Sequence, residues 1–165
     1  MEEPTRSRLR LLAGGLALFT AVVHLVHPSQ GGAALIVYAQ VGYLGDPRPL
    51  AFTLGAFALI SGVLLGYHGF AGRRLYLGGV VVTLSFLLGF VAWHTLLDHG
   101  AFWPYLEPNA HGGNPLVVAA QHLLDDPLVL VSKLAELALL GCLAQLLWAE
   151  GPTQTTAGVG SPDEE

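Results

Sequence analysis

The sequence predicts an all-α integral membrane protein: a bundle of four membrane-spanning helices with two shorter helices beside them. Three observations carry that expectation. Mean hydropathy is +0.57 over 165 residues. Charged residues make up only 12% of the chain against 53% hydrophobic ones, whereas a soluble bundle needs charge along the outer face of each helix. Four apolar stretches, about 9–27, 50–70, 75–97 and 127–149, are long enough to cross a bilayer. The third runs uncharged from Leu75 to Leu97. At about 1.5 Å per residue it makes a helix of about 34 Å, against a hydrocarbon core of about 30 Å.

Each element has its own signal. Residues 1–10 form a polar leader containing Arg6, Arg8 and Arg10. The first span stops near His27, because Pro28 cannot continue a helix and disfavours helical geometry in the residue before it. A secretory signal also opens with basic residues and an apolar run, but this run is long for one and SQGGAA after Pro28 is a poor cleavage site. Residues 33–44 are apolar but too few to span. They suit a re-entrant or interfacial helix, with Tyr38 and Tyr43 at headgroup depth.

Asp46 and Pro47 open the second span, a capping carboxylate beside a proline that needs no donor. His68 lies near its end, and Gly72, Arg73 and Arg74 turn the chain into the third span. Residues 100–110 read as a loop with Phe102, Trp103 and Tyr105 in the membrane interface. Asn114 and Pro115 start a short outer helix, about 115–125, and Asp126 and Pro127 start the fourth span. Residues 151–165 are small, polar and acidic, the composition of a disordered tail.

Orientation follows from the arginines. Arg6, Arg8, Arg10, Arg73 and Arg74 fall at one end and Arg48 at the other, so the positive-inside rule places both termini in the cytoplasm of a multi-pass cell-membrane protein. Most of the histidines then belong to the extracytoplasmic end. Net charge is −5, with acidic residues at both chain ends and arginine preferred to lysine, a composition like that of salt-adapted organisms. No basic patch offers a nucleic-acid surface. Cys142 is the single cysteine and lies in an apolar run, so it reads as a small buried hydrophobe.

The candidate chemistry is histidine chemistry. His24 and His94 each lie about one turn inside the same end of spans that run in the same direction. Two imidazoles at one depth can hold a haem b iron axially, or part of a copper, zinc or iron site. His27 follows His24 by three residues, His99 and His122 lie at the same end, and Asp98 follows His94 at the spacing that lets a carboxylate hold the second ring nitrogen. His122 stands in the same relation to Asp125 and Asp126, while His111 reads as a solvated loop residue. The competing account is that these histidines sit in last turns, where helix dipole and free carbonyls favour imidazole.

Lys133 and Glu136 form a second constellation, three residues apart and well inside the fourth span. Charges there cost on the order of 3 kcal/mol at the bilayer centre, so both should face the protein interior and pair. Such a pair either fixes packing or handles protons or anions.

The segment HLVHP closing the first span, the short apolar segment after it, PLAFTLGAFALISGVLL and the RR turn into a glycine-rich third span resemble the DoxX-like family of small four-helix membrane proteins. The resemblance covers about the first half of the chain. It implies a membrane subunit, in some members tied to sulfur-compound oxidation and quinone reduction. Together these readings favour a small redox-associated subunit binding haem b or a transition metal through His24 and His94. Quinone or other respiratory membrane subunits would be its partners, with a homo-oligomer as a further option. The alternatives are a non-catalytic assembly subunit, or a transporter built on Lys133 and Glu136.

Overall fold

The computed structural model describes residues 2–42, 45–100 and 114–151, without the side chain of Asp98. The fold is all-α. Four helices are long and apolar enough to cross a membrane: α1 (Glu3–Val26), α3 (Arg48–Leu65, continued by a π turn, Gly66–Phe70), α4 (Arg73–Thr95) and α6 (Pro127–Glu150). Two shorter helices, α2 (Gly32–Val41) and α5 (Pro115–Asp125), lie between them, and Asp98–Gly100 forms a single 3₁₀ turn. Tyr43, Phe102, Trp103, Tyr105, His111 and the tail from 152 onward fall outside the described residues.

α6 is the central element and packs on both α1 and α4, while α3 packs on α1 and α4 from the other side. Small residues allow the close approach. Ala13, Ala17, Thr20 and Ala21 of α1 are buried together with Leu139, Cys142, Leu143 and Leu146 of α6. Without a hydrophobic drive between helices in lipid, such small-residue packing is what brings helices together. The opposite faces expose Leu11, Phe57, Val81 and Leu134, a surface suited to hydrocarbon.

The first helix begins earlier than its apolar run. The leader is helical from Glu3 because Pro4 sits in the first turn and Glu3 pairs with Arg6 at 3.3 Å. Its arginines then dock on neighbouring helices. Arg6 donates to the Ala149 carbonyl at 3.2 Å and Arg10 to the Tyr76 hydroxyl at 2.8 Å, and Arg73 donates to the Gly151 carbonyl at 3.4 Å. Guanidinium groups thus satisfy carbonyls that the end of α6 leaves open. We call this the arginine end. Exposed Tyr67, Phe70 and Trp148 surround it, as aromatic side chains do at a membrane interface.

At the opposite, histidine end, α1 stops at His27, and the turn that follows folds back over it. Gly31 N–H donates to the His27 carbonyl at 3.0 Å, and a Cβ at Gly31 would come within 2.2 Å of the His24 carbonyl oxygen, so the turn requires glycine. The expected short helix over 33–44 is observed as α2, and it ends at Gly42 in the left-handed conformation. Asn114 and Asp126 accept hydrogen bonds from the first free N–H groups of α5 and α6.

Candidate functional site

Among the described residues, two groups of reactive side chains stand out at the histidine end, and they divide the histidines differently from the sequence-based pairing. The first group is His94, His99 and His122. Each can offer one ring nitrogen such that the three lie within 4.8 Å of one another. The ring centroids are 5.0 Å apart for His94 and His99, 4.9 Å for His94 and His122, and 5.4 Å for His99 and His122. All three rings are partly buried.

Three elements bring them together. His94 is in the last turn of α4 and His122 is on α5, which packs against α4. His99 reverses the chain between them with φ 55° and ψ 27°, the one non-glycine residue with positive φ among those described. That conformation costs about 1–2 kcal/mol for a residue with a Cβ, and strain of this kind collects where a site requires it. The His94 ring is oriented by its own helix. Its Nδ1 lies 2.8 Å from the Phe90 carbonyl, which can only accept, so Nδ1 carries the hydrogen and the Nε2 lone pair is left for a ligand. Asp98 is the partner the sequence suggests for this ring, and its side chain lies outside what is described.

Nearby, Arg48 holds Asp46 through paired contacts of 2.8 and 2.5 Å, and stacks 4.5 Å over the Trp93 ring. The start of α3 is thereby fixed to the end of α4, beside His94.

The second group is centred on Glu136, which has no exposed surface. Its Oε1 accepts from His24 Nε2 at 3.0 Å, from Ser132 Oγ at 2.9 Å and from Lys133 Nζ at 2.8 Å, and its Oε2 accepts from Lys133 at 2.8 Å. Lys133 also donates to the Phe86 carbonyl at 3.3 Å. The His24 ring is held between Phe52 and Phe86, with centroids at 4.8 and 4.1 Å. Lys133 and Glu136 therefore pair with each other on α6, and His24 joins them from α1. His24 and His94 belong to separate groups: one donates to a carboxylate, the other sits with His99 and His122.

His27 also has a carboxylate partner. Its Nε2 donates to Asp126 Oδ2 at 3.2 Å, and Ser29 Oγ is 3.4 Å from its Nδ1. Asp126 is partly buried, which opposes ionisation. Hydrogen bonds from the Val129 N–H, the His27 ring and the Leu128 N–H outweigh that and hold its carboxyl below the usual aspartate range. His24 and His27 both line a cavity of about 20 Å³, room for roughly one water molecule, together with Gln30, Ser132, Lys133 and Phe90 among others. His68 lies at the arginine end, in the π turn.

Sequence reasoning passed over Phe52, Phe86, the Phe90 carbonyl and Ser132. Only Ser132 left a trace, four residues before Glu136 on the same helix. No family model, curated protein or solved structure matches the chain.

Proposed function

We propose that this multi-pass membrane protein binds a transition metal ion, zinc or copper, through His94, His99 and His122, at the extracytoplasmic face. The observation that carries the reading is the convergence of three ring nitrogens within 4.8 Å, one of them with its Nδ1 hydrogen already committed to a carbonyl. Metal-bound imidazoles commonly have their second nitrogen fixed in this way. Three neutral imidazoles without a thiolate suit Zn²⁺ or copper and leave a fourth position open. Around a tetrahedral ion with Zn–N of about 2.0–2.1 Å, ligand nitrogens are about 3.4 Å apart. Binding would draw the three nitrogens together from up to 4.8 Å toward that spacing. The arginine-rich opposite end supports the orientation.

Haem b, with His24 and His94 as axial ligands, has less to recommend it. His24 gives its Nε2 to Glu136, and the cavity beside it suits a water rather than a macrocycle. The remaining competitor is an assembly subunit in which the three histidines only tie α4 to α5.

Elemental analysis of detergent-purified protein, with titration of Zn²⁺ and Cu²⁺ into the metal-free form, tests the reading. One equivalent is expected, lost on replacing any one of His94, His99 or His122 by Gln and kept in His68→Gln. Sub-stoichiometric metal, or retention in all three variants, would overturn it in favour of the structural tie.

A further inference from the structure

Glu136 has no exposed surface, yet polar groups on either side of a water-sized cavity link it to Asp126 at the protein's surface. The first step is the 3.0 Å hydrogen bond to His24 Nε2. Because a carboxylate accepts, that nitrogen carries the hydrogen, and Nδ1 of the same ring is the basic one. Among the described residues nothing hydrogen-bonds that Nδ1, and the ring lines the water-sized cavity. His27 lines the same cavity one helical turn further out, and it donates to Asp126, whose side chain is 40% exposed. An exposed carboxylate, an imidazole, room for one water, a second imidazole and a buried carboxylate thus follow one another.

We propose that this series is a proton-exchange route that ends on Glu136 and opens at the histidine end. A proton carried by water in the cavity binds His24 at Nδ1, and the proton on Nε2 passes to Glu136 Oε1. The ring is left neutral with its hydrogen on Nδ1, the carboxylate becomes a carboxylic acid, and the group as a whole has gained one positive charge. Release retraces the same two transfers. Only N–H and O–H bonds form and break.

The surroundings suit both charge states. Once Glu136 is neutral, the Lys133 ammonium retains the Phe86 carbonyl at 3.3 Å and the ring faces of Phe86 and Phe90 at 6.0 and 5.6 Å. The transient imidazolium of His24 lies between the rings of Phe52 and Phe86. The ionisable groups that bear on His24 are Glu136 and Lys133 from α6 and His27 from its own helix, while α3 and α4 contribute phenylalanines. Ser132, on the helix that carries Glu136, completes the set of donors to Oε1. Nothing in this route depends on a metal ion at His94, His99 and His122.

Infrared titration of the full-length protein in lipid nanodiscs tests it. The wild type should develop a slowly deuterating carboxylic-acid band as pH falls, with the helical signal intact, and Glu136→Gln should lack that band. After a pH jump, His24→Phe should develop it about a hundredfold more slowly, the low end of what a positioned proton-transfer group contributes. If Glu136→Gln does not fold, Ser132→Ala assigns the band instead, because losing one donor to Oε1 should shift its frequency. The proposal fails if no such band appears at any pH at which the protein stays folded. It fails equally if the band ignores both Glu136→Gln and Ser132→Ala, or if its rate is unchanged in His24→Phe. A static ion pair that only clamps helices gives the first of these failures.

Discussion

His24 on α1 donates to Glu136 on α6 across 3.0 Å, and neither side chain is exposed by more than 7%. This contact joins the two helices at the end where the chain concentrates its histidines, and it rests on close packing below. A polar bond between spanning helices is worth about 0.6–2 kcal/mol in lipid. The buried charges it belongs to are worth more to each other once removed from water, and more costly to separate. The bond therefore fixes the facing of α1 on α6 as much as it adds stability.

Breaking the charge pair should be worse than removing it. Glu136→Leu leaves the Lys133 ammonium buried with only a carbonyl and ring faces for company, at a cost of about 3–5 kcal/mol. The double variant Lys133→Met with Glu136→Leu removes both charges and should recover most of that loss. Unfolding curves in mixed detergent would show the order wild type, double variant, single variant. A double variant less stable than the single one would mean that Lys133 stabilises the fold even without its carboxylate, and that burying the lone ammonium is not what the single variant suffers from.

The second prediction concerns the aromatic clamp on His24. A Cβ added at Gly55 would lie 2.3 Å from Phe86 Cζ, so the ring that covers His24 depends on glycine in the facing helix. Gly55→Val should cost about 1–3 kcal/mol through overpacking and displace Phe86. Gly78→Ala, where a Cβ meets nothing within 4 Å, should be neutral or slightly stabilising. Thermal melts of the two variants make the comparison; equal losses would show that the Phe86 ring moves aside freely.

How much of this was legible follows from what a sequence encodes. Apolar length gives the spans, and the cap-plus-proline pairs at Asn114 and Asp126 give the starts of α5 and α6, because both signals are local. Lys133 and Glu136 could be read as partners because three residues on one helix determine their relative position. The start of α1 at Glu3 was hidden, since its leader is held by partners on α6 and α4, Ala149 and Tyr76. His24 and His94 were harder. Position along a helix is written in the sequence, but the direction a side chain takes across the bundle is set by which helix packs there. α1 turns His24 toward α6, and α4 turns His94 toward α5. The backbone reversal at His99 left no signal, because left-handed histidine has no sequence mark.

Acid should weaken the histidine end through Asp126. An ordinary aspartate titrates near about 3.9, and the hydrogen bonds at Asp126 hold its folded carboxyl lower. A carboxyl lowered by folding contributes in full above the unfolded value and loses that contribution as pH falls through the folded one. Stability measured by denaturant should therefore drop below about pH 4. Asp126→Ala should cost about 1 kcal/mol at neutral pH through loss of the cap on α6 and flatten this part of the profile. Asp126→Asn keeps an acceptor for the cap but should flatten the acid limb as well. An acid limb unchanged in both variants would assign it to other carboxylates.

The last prediction separates metal binding from structural tying at His99. Its backbone pays for a left-handed conformation that glycine adopts freely and asparagine tolerates. If the imidazole is held there for a ligand, metal-free His99→Gly should be more stable than metal-free wild type by about 1 kcal/mol. His99→Asn should be close to wild type. Both variants should fail to gain stability on adding metal, whereas the wild type gains about 2.7 kcal/mol at a hundredfold excess over its dissociation constant. Because a metal-bound imidazole must be deprotonated at the ligating nitrogen, the wild-type gain should fade in acid. Melting curves with and without Zn²⁺, at two pH values, contain all of these comparisons. A His99→Gly protein that is less stable than wild type in the absence of metal would mean that the ring's contacts with His94 and His122 repay the backbone strain by themselves, and the three histidines would then be a clasp between α4 and α5.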